Sequence, residues 1–194
     1  MANIEADARD RADMERLASG HDAALNDLME RHATGVFQFL FRMLRNEDDA
    51  NDLAQETFLR VFKARTNFKL EQKFNTWLYT IAANLARNHI RWRSRHPDVS
   101  LEAEPESGQP SLKDSLPDGA ANAREKTIAA ERHAAVRAAV DALPSDMREA
   151  IVLCEWQDLA VAEAATVAKT TPKAMESRLY RARQVLREEL KRLL

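Results

Sequence analysis

The chain is 194 residues long, 45% hydrophobic and 31% charged, with one cysteine and a net charge of −2. That is enough apolar material for a core, and a single thiol excludes an internal disulfide. The near-neutral balance excludes a globally basic nucleic-acid binder, so any such binding comes from local patches. Four glycines and six prolines, in a sequence dominated by Ala, Leu, Arg and Glu, predict an all-α fold.

The start, MANIEADARDRADMERL, is charged and has no apolar stretch of signal-peptide type. No later apolar run is long enough to span a bilayer, so the expected location is cytoplasmic, with no membrane contact by this chain. Residues 7–18 predict a short amphipathic helix ending at Ser19-Gly20. Asp22 is placed to cap a second helix, 23 to about 45, whose apolar positions Leu25, Leu28, Met29, Val36, Phe37, Leu40, Phe41 and Leu44 keep a helical period. A third helix spans about 48–64 with Leu53, Phe58, Val61 and Phe62 on its core side. Its Asp52, Gln55 and Glu56, at i, i+3 and i+4, share a polar face. Favourable placement near the helix dipole accounts for Asp48, Asp49 and Asp52, but covers Gln55 less well.

Residues 65–75 form a polar loop with Phe68 and Phe74. Aromatics that pin the loop are one reading, which the residues favour. Aromatic surface for unstacked bases is the other. Asn75 or Thr76 is expected to cap the next helix, 77–95, which has no acidic residue and carries Arg87, Arg91, Arg93 and Arg95. Leu78, Ile81, Leu85 and Trp92 fall on one stripe, assigned to the core. Asn84, Asn88, Arg91 and Arg95 fall on the adjacent stripe. Amide groups beside guanidinium groups suit base edges and phosphates, and equally a solvated basic face.

Composition changes after Arg95. Residues 97–122 hold four of the six prolines, two of the four glycines, and six acidic residues against Lys113 alone. This predicts an acidic Pro/Ser-rich linker between a domain at 1–96 and a second at 123–194. Helices resume at about 123–142, with Ile128, Val136, Ala139 and Leu143 on one face, and then at 145–156. A short helix (about 159–168), a break at Lys169-Thr170-Thr171 and a last helix from Pro172 make a helix-turn-helix layout. Met175, Leu179, Ala182, Leu186, Leu190 and Leu193 predict its buried stripe. From Lys169 on, eight basic residues face three acidic ones, which favours DNA over a merely solvated face. Cys154 reads as a buried, inert thiol. The five histidines show neither metal-ligand spacing nor a cysteine partner, and no nucleophile–base pair or Gly-rich phosphate loop stands out. The chain is therefore expected to be no enzyme and to need no metal or cofactor.

Four stretches carry a resemblance: DDANDLAQETFLRVF (48–62), FNTWLYTIAANLARNHIR (74–91), LPSDMREAIVL (143–153) and ESRLYRARQVLREEL (176–190). In this order they resemble the small extracytoplasmic-function (ECF) sigma factors of the sigma-70 family. The resemblance implies two helical domains, like sigma regions 2 and 4, that recruit core RNA polymerase to −10 and −35 promoter elements and capture the melted non-template strand. It assigns Asp52, Gln55 and Glu56 to polymerase binding. It assigns Phe68, Phe74, Asn75, Asn84, Arg87, Asn88 and Arg91 to the −10 element, and Lys173, Ala174, Ser177, Arg178 and Arg181 to the −35 element. Trp77 is assigned to packing first. An anti-sigma factor is the further partner implied. Departures from the family pattern are Ala164, Ala168, Lys169 and Glu176, where a larger aliphatic, a glycine turn and a basic residue are common. The alanines predict a thinner seam between the two helices of the motif, with Met175 filling space. Two rival readings follow from the same residues: a DNA-binding regulator that never touches polymerase, and a decoy that occupies an anti-sigma factor without supporting initiation.

Overall fold

A computed structural model describes residues 2–96 and 123–193, and among them the structure is entirely helical. The first half holds α1 (Ala2–Ala18), α2 (Ala24–Leu44), α3 (Glu47–Lys63), a 3₁₀ turn at Arg65–Asn67 and α4 (Phe74–Arg95). The second half holds α5 (Ala123–Ala142), α6 (Ser145–Ile151), α7 (Val161–Val167) and α8 (Pro172–Leu193). The expected linker at 97–122 lies outside the described residues.

Helix α2 is the hub of the first half. Its Leu28, Val36, Phe39 and Leu40 are fully buried, and α1, α3 and α4 all pack on it. It ends where Arg45 turns left-handed (φ 59°) and donates its N–H to the Phe41 carbonyl. Asn46 then opens α3 by accepting the Asp49 N–H at 2.8 Å. Asp49 in turn sits 3.1 Å from His89 and 3.3 Å from Arg93, fastening α3 to the far part of α4. Helix α1 is longer than the sequence predicts. It buries Met14 and Leu17, and its Asp10 and Asp13 accept from Arg31 of α2 at 3.0 and 2.6 Å.

Three expectations are corrected. Asp22 makes no side-chain cap; the residue before α2 is Ala23, and its turn is closed by backbone bonds. Helix α4 begins at Phe74, not at Trp77, because the fully buried Phe74 ring anchors its first turn. Lys73 is its cap residue, so Asn75 and Thr76 lie inside the helix rather than capping it. Trp92 is not core: it is 48% exposed and stacks on His96, centroids 4.9 Å apart. The buried side of α4 is instead Leu78, Tyr79, Ala82, Ala83, Leu85 and Ala86, with Ile81 half-buried. Trp92 stands on the exposed side of α4 here, although the next residue, Arg93, still reaches Asp49 of α3.

In the second half, the α6 helix widens into a π turn over Val152–Trp156 rather than continuing as α-helix. Helices α7 and α8 meet across a turn in which Lys169 adopts φ 53°. A side chain in this left-handed region is strained, and a glycine there would relieve it. Thr171 caps α8 as expected, its Oγ1 accepting from Ala174 N at 3.2 Å. Met175, Leu179 and Ala182 are buried, Leu186 and Leu190 half-buried, and Met175 belongs to the same apolar cluster as Ala164. Cys154 is half-buried, and burial pushes its thiol pKa up, away from reactivity.

The two halves share one apolar core. Helix α7 packs on α4, and both bring buried alanines: Ala82, Ala83 and Ala86 from α4, Ala164 and Ala165 from α7. Helix α7 thus packs both on α4 and on α8 of its own half. Arg148 crosses beside it. It is 7% exposed and donates to the carbonyls of Leu143 (2.8 Å), Asp141 (3.0 Å) and, across the join, Met43 (3.5 Å). Arg42 lies over the Trp156 ring, 5.0 Å from its centroid.

Candidate nucleic-acid interface

On α3, Asp52 and Gln55 are exposed and Glu56 is half-buried, its carboxylate 2.7 Å from Arg60 of the next turn. Leu59, one turn further on the same side, is 44% exposed. The sequence reading missed Leu59. Its spacing of i+4 from Gln55 and i+7 from Asp52 was the available signal, and it turns a polar face into an apolar centre with a polar edge.

Phe68 and Phe74 lie in an aromatic cluster with Trp77. Ring centroids are 5.1 Å apart for Phe68–Trp77, 6.1 Å for Phe68–Phe74 and 6.2 Å for Phe74–Trp77. His32 of α2 closes the cluster, 5.1 Å from Phe74. Phe74 is fully buried, so in this arrangement it pins the loop and offers no face to a base, while Phe68 is half-buried. At the corner where loop becomes helix, Asn75 Oδ1 and Thr76 Oγ1 are buried without a hydrogen-bond partner among the described residues. Leaving a buried polar atom unpaired is costly, so the two stand out at this corner.

Along α4, Asn88 and Arg91 are exposed, and neither has a partner among the described residues. Asn84 and Arg87 are half-buried and joined, Arg87 donating to Asn84 Oδ1 at 2.9 Å. Arg87 also donates to the Val167 carbonyl at 3.1 Å and to the Glu149 carboxylate, both from the second half of the chain. Glu149 is 5% exposed. Burial raises its pKa, against the opposing pull of Arg87 and Arg178.

On α8, Lys173, Ser177 and Arg181 are exposed and Ala174 half-exposed, one side of the helix leading out of the turn. Arg178 is set apart from them: it is half-buried and its Nε lies 3.5 Å from Asp146. Tyr180, which the sequence reading passed over, is 65% exposed on this helix, and Glu176 is exposed as well.

Two family models match. Sigma-70 region 2 covers residues 28–96, and Sigma-70, region 4 covers residues 133–186. The chain is 34% identical to the RNA polymerase sigma-H factor of Pseudomonas aeruginosa over 185 residues, covering 93% of each chain. The chain belongs to the ECF sigma factors of the sigma-70 family. It is also 34% identical to the ECF RNA polymerase sigma factor SigE of Mycolicibacterium smegmatis, over 89% of this chain and 65% of that one. Among solved structures it is similar to CnrH in complex with the cytosolic domain of CnrY, with a TM-score of 0.67 and 26% identity over 94% of this chain and 97% of that one. As a sigma factor the chain directs promoter-specific initiation of transcription. Its α1 lies ahead of the matched part of region 2, yet its Met14 and Leu17 belong to the same core. No helix among the described residues is long and apolar enough to cross a membrane.

Proposed function

We propose that this sigma factor docks on core RNA polymerase through Asp52, Gln55, Glu56 and Leu59 of α3, and reads the −10 element with α4 and the loop before it. Asn84, Asn88 and Arg91 contact the opened strand, with Arg87 joining them once freed from Glu149. Asn75 takes the edge of a captured base at the corner beside Phe68, where its unpaired Oδ1 needs a donor, and Phe74 supports the corner from beneath. Melting is a population shift: the site binds the opened strand better than the duplex, and no bond chemistry is required. Lys173, Ala174, Ser177 and Arg181 lie in the −35 major groove, with Arg178 joining after it leaves Asp146. An anti-sigma factor is the partner that controls access; the similar CnrH is itself found in complex with another protein, the cytosolic domain of CnrY.

The observation that carries this reading is the division of α4. One side is buried against the bundle, while the other presents Asn88 and Arg91 to solvent with nothing to hold them. The test is promoter opening, read by permanganate reactivity of the melted thymines, with polymerase and the variants Asn88→Ala and Arg91→Ala. Each is expected to lower opening about tenfold, the scale of one lost base-edge or phosphate contact, with the thermal midpoint of the free protein retained. Full opening by both variants contradicts the assignment.

A further inference from the structure

We propose that Trp92 and His96, at the far end of α4, form a stacking plate for the last paired bases at the upstream edge of the opened promoter, and so hold the junction between duplex and single strand. The inference rests on the reading of α4 as the −10 reader and extends that surface by one contact.

Two rings at this end of the helix are fixed and yet uncovered. Trp92 is 48% exposed and lies against His96, with centroids 4.9 Å apart and ring planes 24° from parallel. His96 is tied by both its backbone and its ring. Its N–H donates to the carbonyls of Trp92 and Arg93 at 3.1 and 3.2 Å, and its Nδ1 donates to the Trp92 carbonyl at 3.0 Å. On the other side, the His89 ring stands 6.4 Å from the indole and is held by Asp49 of α3, which also binds Arg93. An isolated exposed ring is ordinary, since much of any protein surface is apolar. A large ring already immobilised against a second one is different. Its rotamer freedom is lost without full burial, which leaves a preformed face for a ligand.

Charge and position name the occupant. Trp92 is i+4 from Asn88 and i−3 from Arg95, so on the helix surface it borders both, and it continues the exposed side that carries Arg91. Helix α4 has no acidic residue along its whole length. An apolar protein partner would desolvate these guanidinium groups at a cost, whereas a nucleic acid supplies phosphates for them and flat bases for the plate. The position is set by the helix itself. Asn75 and Trp92 lie near opposite ends of α4, about 25 Å apart along its axis at about 1.5 Å per residue. That is the length of about seven stacked bases at about 3.4 Å each. The chain leaves α4 at His96 toward the half that reads the −35 element. This end therefore points upstream of the captured base, where the strands pair again.

Opening ends the duplex with a base pair that has lost the neighbour it stacked on. An indole–imidazole plate laid on that pair restores a stacking face, with no need for a base-specific hydrogen bond. A closed duplex offers no free base face at that point, so the plate favours the opened state over the closed one. Arg91 and Arg95 beside it hold the backbone that leaves the junction. The contact of Trp92 itself is aromatic, so it adds affinity without releasing counterions, unlike that of Arg95.

The test uses holoenzyme reconstituted from core polymerase and the full chain. Its probe is a fork-junction DNA cut from the promoter found by mapping transcript starts, duplex upstream and with the non-template strand single from the −10 element on. 2-Aminopurine, opposite thymine, is placed in the last base pair or one helical turn further upstream; circular dichroism checks that each variant is folded. Wild type is expected to quench the junction probe on binding and to leave the upstream probe unchanged. Trp92→Ala should lose that quenching and bind the fork about tenfold more weakly, the scale of one lost aromatic stack, at an unchanged slope of affinity against salt. Trp92→Phe should recover most of both. Arg95→Ala should instead keep the quenching and lower the salt slope by about one. Quenching that persists in Trp92→Ala, a fork affinity equal to wild type, or a loss that comes with a lower salt slope each overturn the plate. So does a Trp92→Ala chain that loses affinity for core polymerase in the absence of DNA, because the ring is then a protein contact. Asn88→Ala on the same fork separates this from the reading beneath it. If both Asn88→Ala and Trp92→Ala bind as wild type does, α4 is not the −10 reader. If only Asn88→Ala is weakened, the plate alone has failed.

Discussion

Glu149 places a carboxylate beside two guanidinium groups and yet has a raised pKa, because burial outweighs the attraction of Arg87 and Arg178. The sign is informative. A carboxyl whose pKa is raised on burial contributes stability below its ordinary value of 4.5, and that contribution is lost as pH rises through the raised value. Once pH passes that raised value, the charge on Glu149 works against the folded chain. Comparing urea melts of wild type and Glu149→Gln should show wild type losing ground to the variant as pH rises from 5 to about 7.5. A difference that is flat with pH, or that runs the other way, contradicts a burial-dominated Glu149. None of this was visible in the sequence, where Arg87 and Glu149 stand 62 residues apart and each reads as an ordinary helix-surface charge. Leu59 was legible and overlooked, since it keeps the spacing of the polar face it completes. Lys169 stands where a glycine turn is common in the family, and the backbone there turns left-handed.

At the scale of elements, periodicity found every helix but misjudged where several begin and end. The core side of α3 and α8 follows from spacing, while on α2 spacing finds Leu28, Val36, Leu40 and Leu44 but passes over the buried Phe39 and Met43 and includes Met29, which is exposed. Helix α4 starts a turn early because burial of the Phe74 ring, a long-range contact, outweighs the local capping signal of Asn75 or Thr76. Trp92 was assigned to the core because a hydrophobic stripe carries no record of where its partner helices stop. Helix α1 was undervalued for a related reason: its sequence is mostly charged, and its apolar content is a few positions such as Met14 and Leu17. Those two are fully buried, and Asp10 and Asp13 fix the helix by ion pairs to Arg31 rather than by apolar area. Leu17→Ala should therefore lower the unfolding free energy by about 2–5 kcal/mol, as for other buried leucines, read by denaturant melts. A loss under about 0.5 kcal/mol, the scale of a surface substitution, means that α1 is an appendage rather than part of region 2.

At the scale of the whole molecule, the sequence divides cleanly into two helical halves, while the structure joins them through an alanine-lined contact between α4 and α7 and through ion pairs. The segmentation was readable because composition changes sharply after Arg95. The join was not, because alanines report helix propensity long before they report close approach. The join holds Arg87, which the proposed −10 contact needs free, and leaves Asp52, Gln55 and Leu59 of α3 exposed. The central claim is that this chain turns core polymerase into a promoter-specific enzyme through α3 and α4. Its most direct test is run-off transcription by purified core polymerase from a promoter located by mapping transcript starts after overexpression. The wild-type protein should produce a specific transcript, and Gln55→Ala combined with Leu59→Glu should abolish it while the protein stays folded. A wild-type protein that binds that promoter fragment but never yields transcript with active core enzyme would contradict the account.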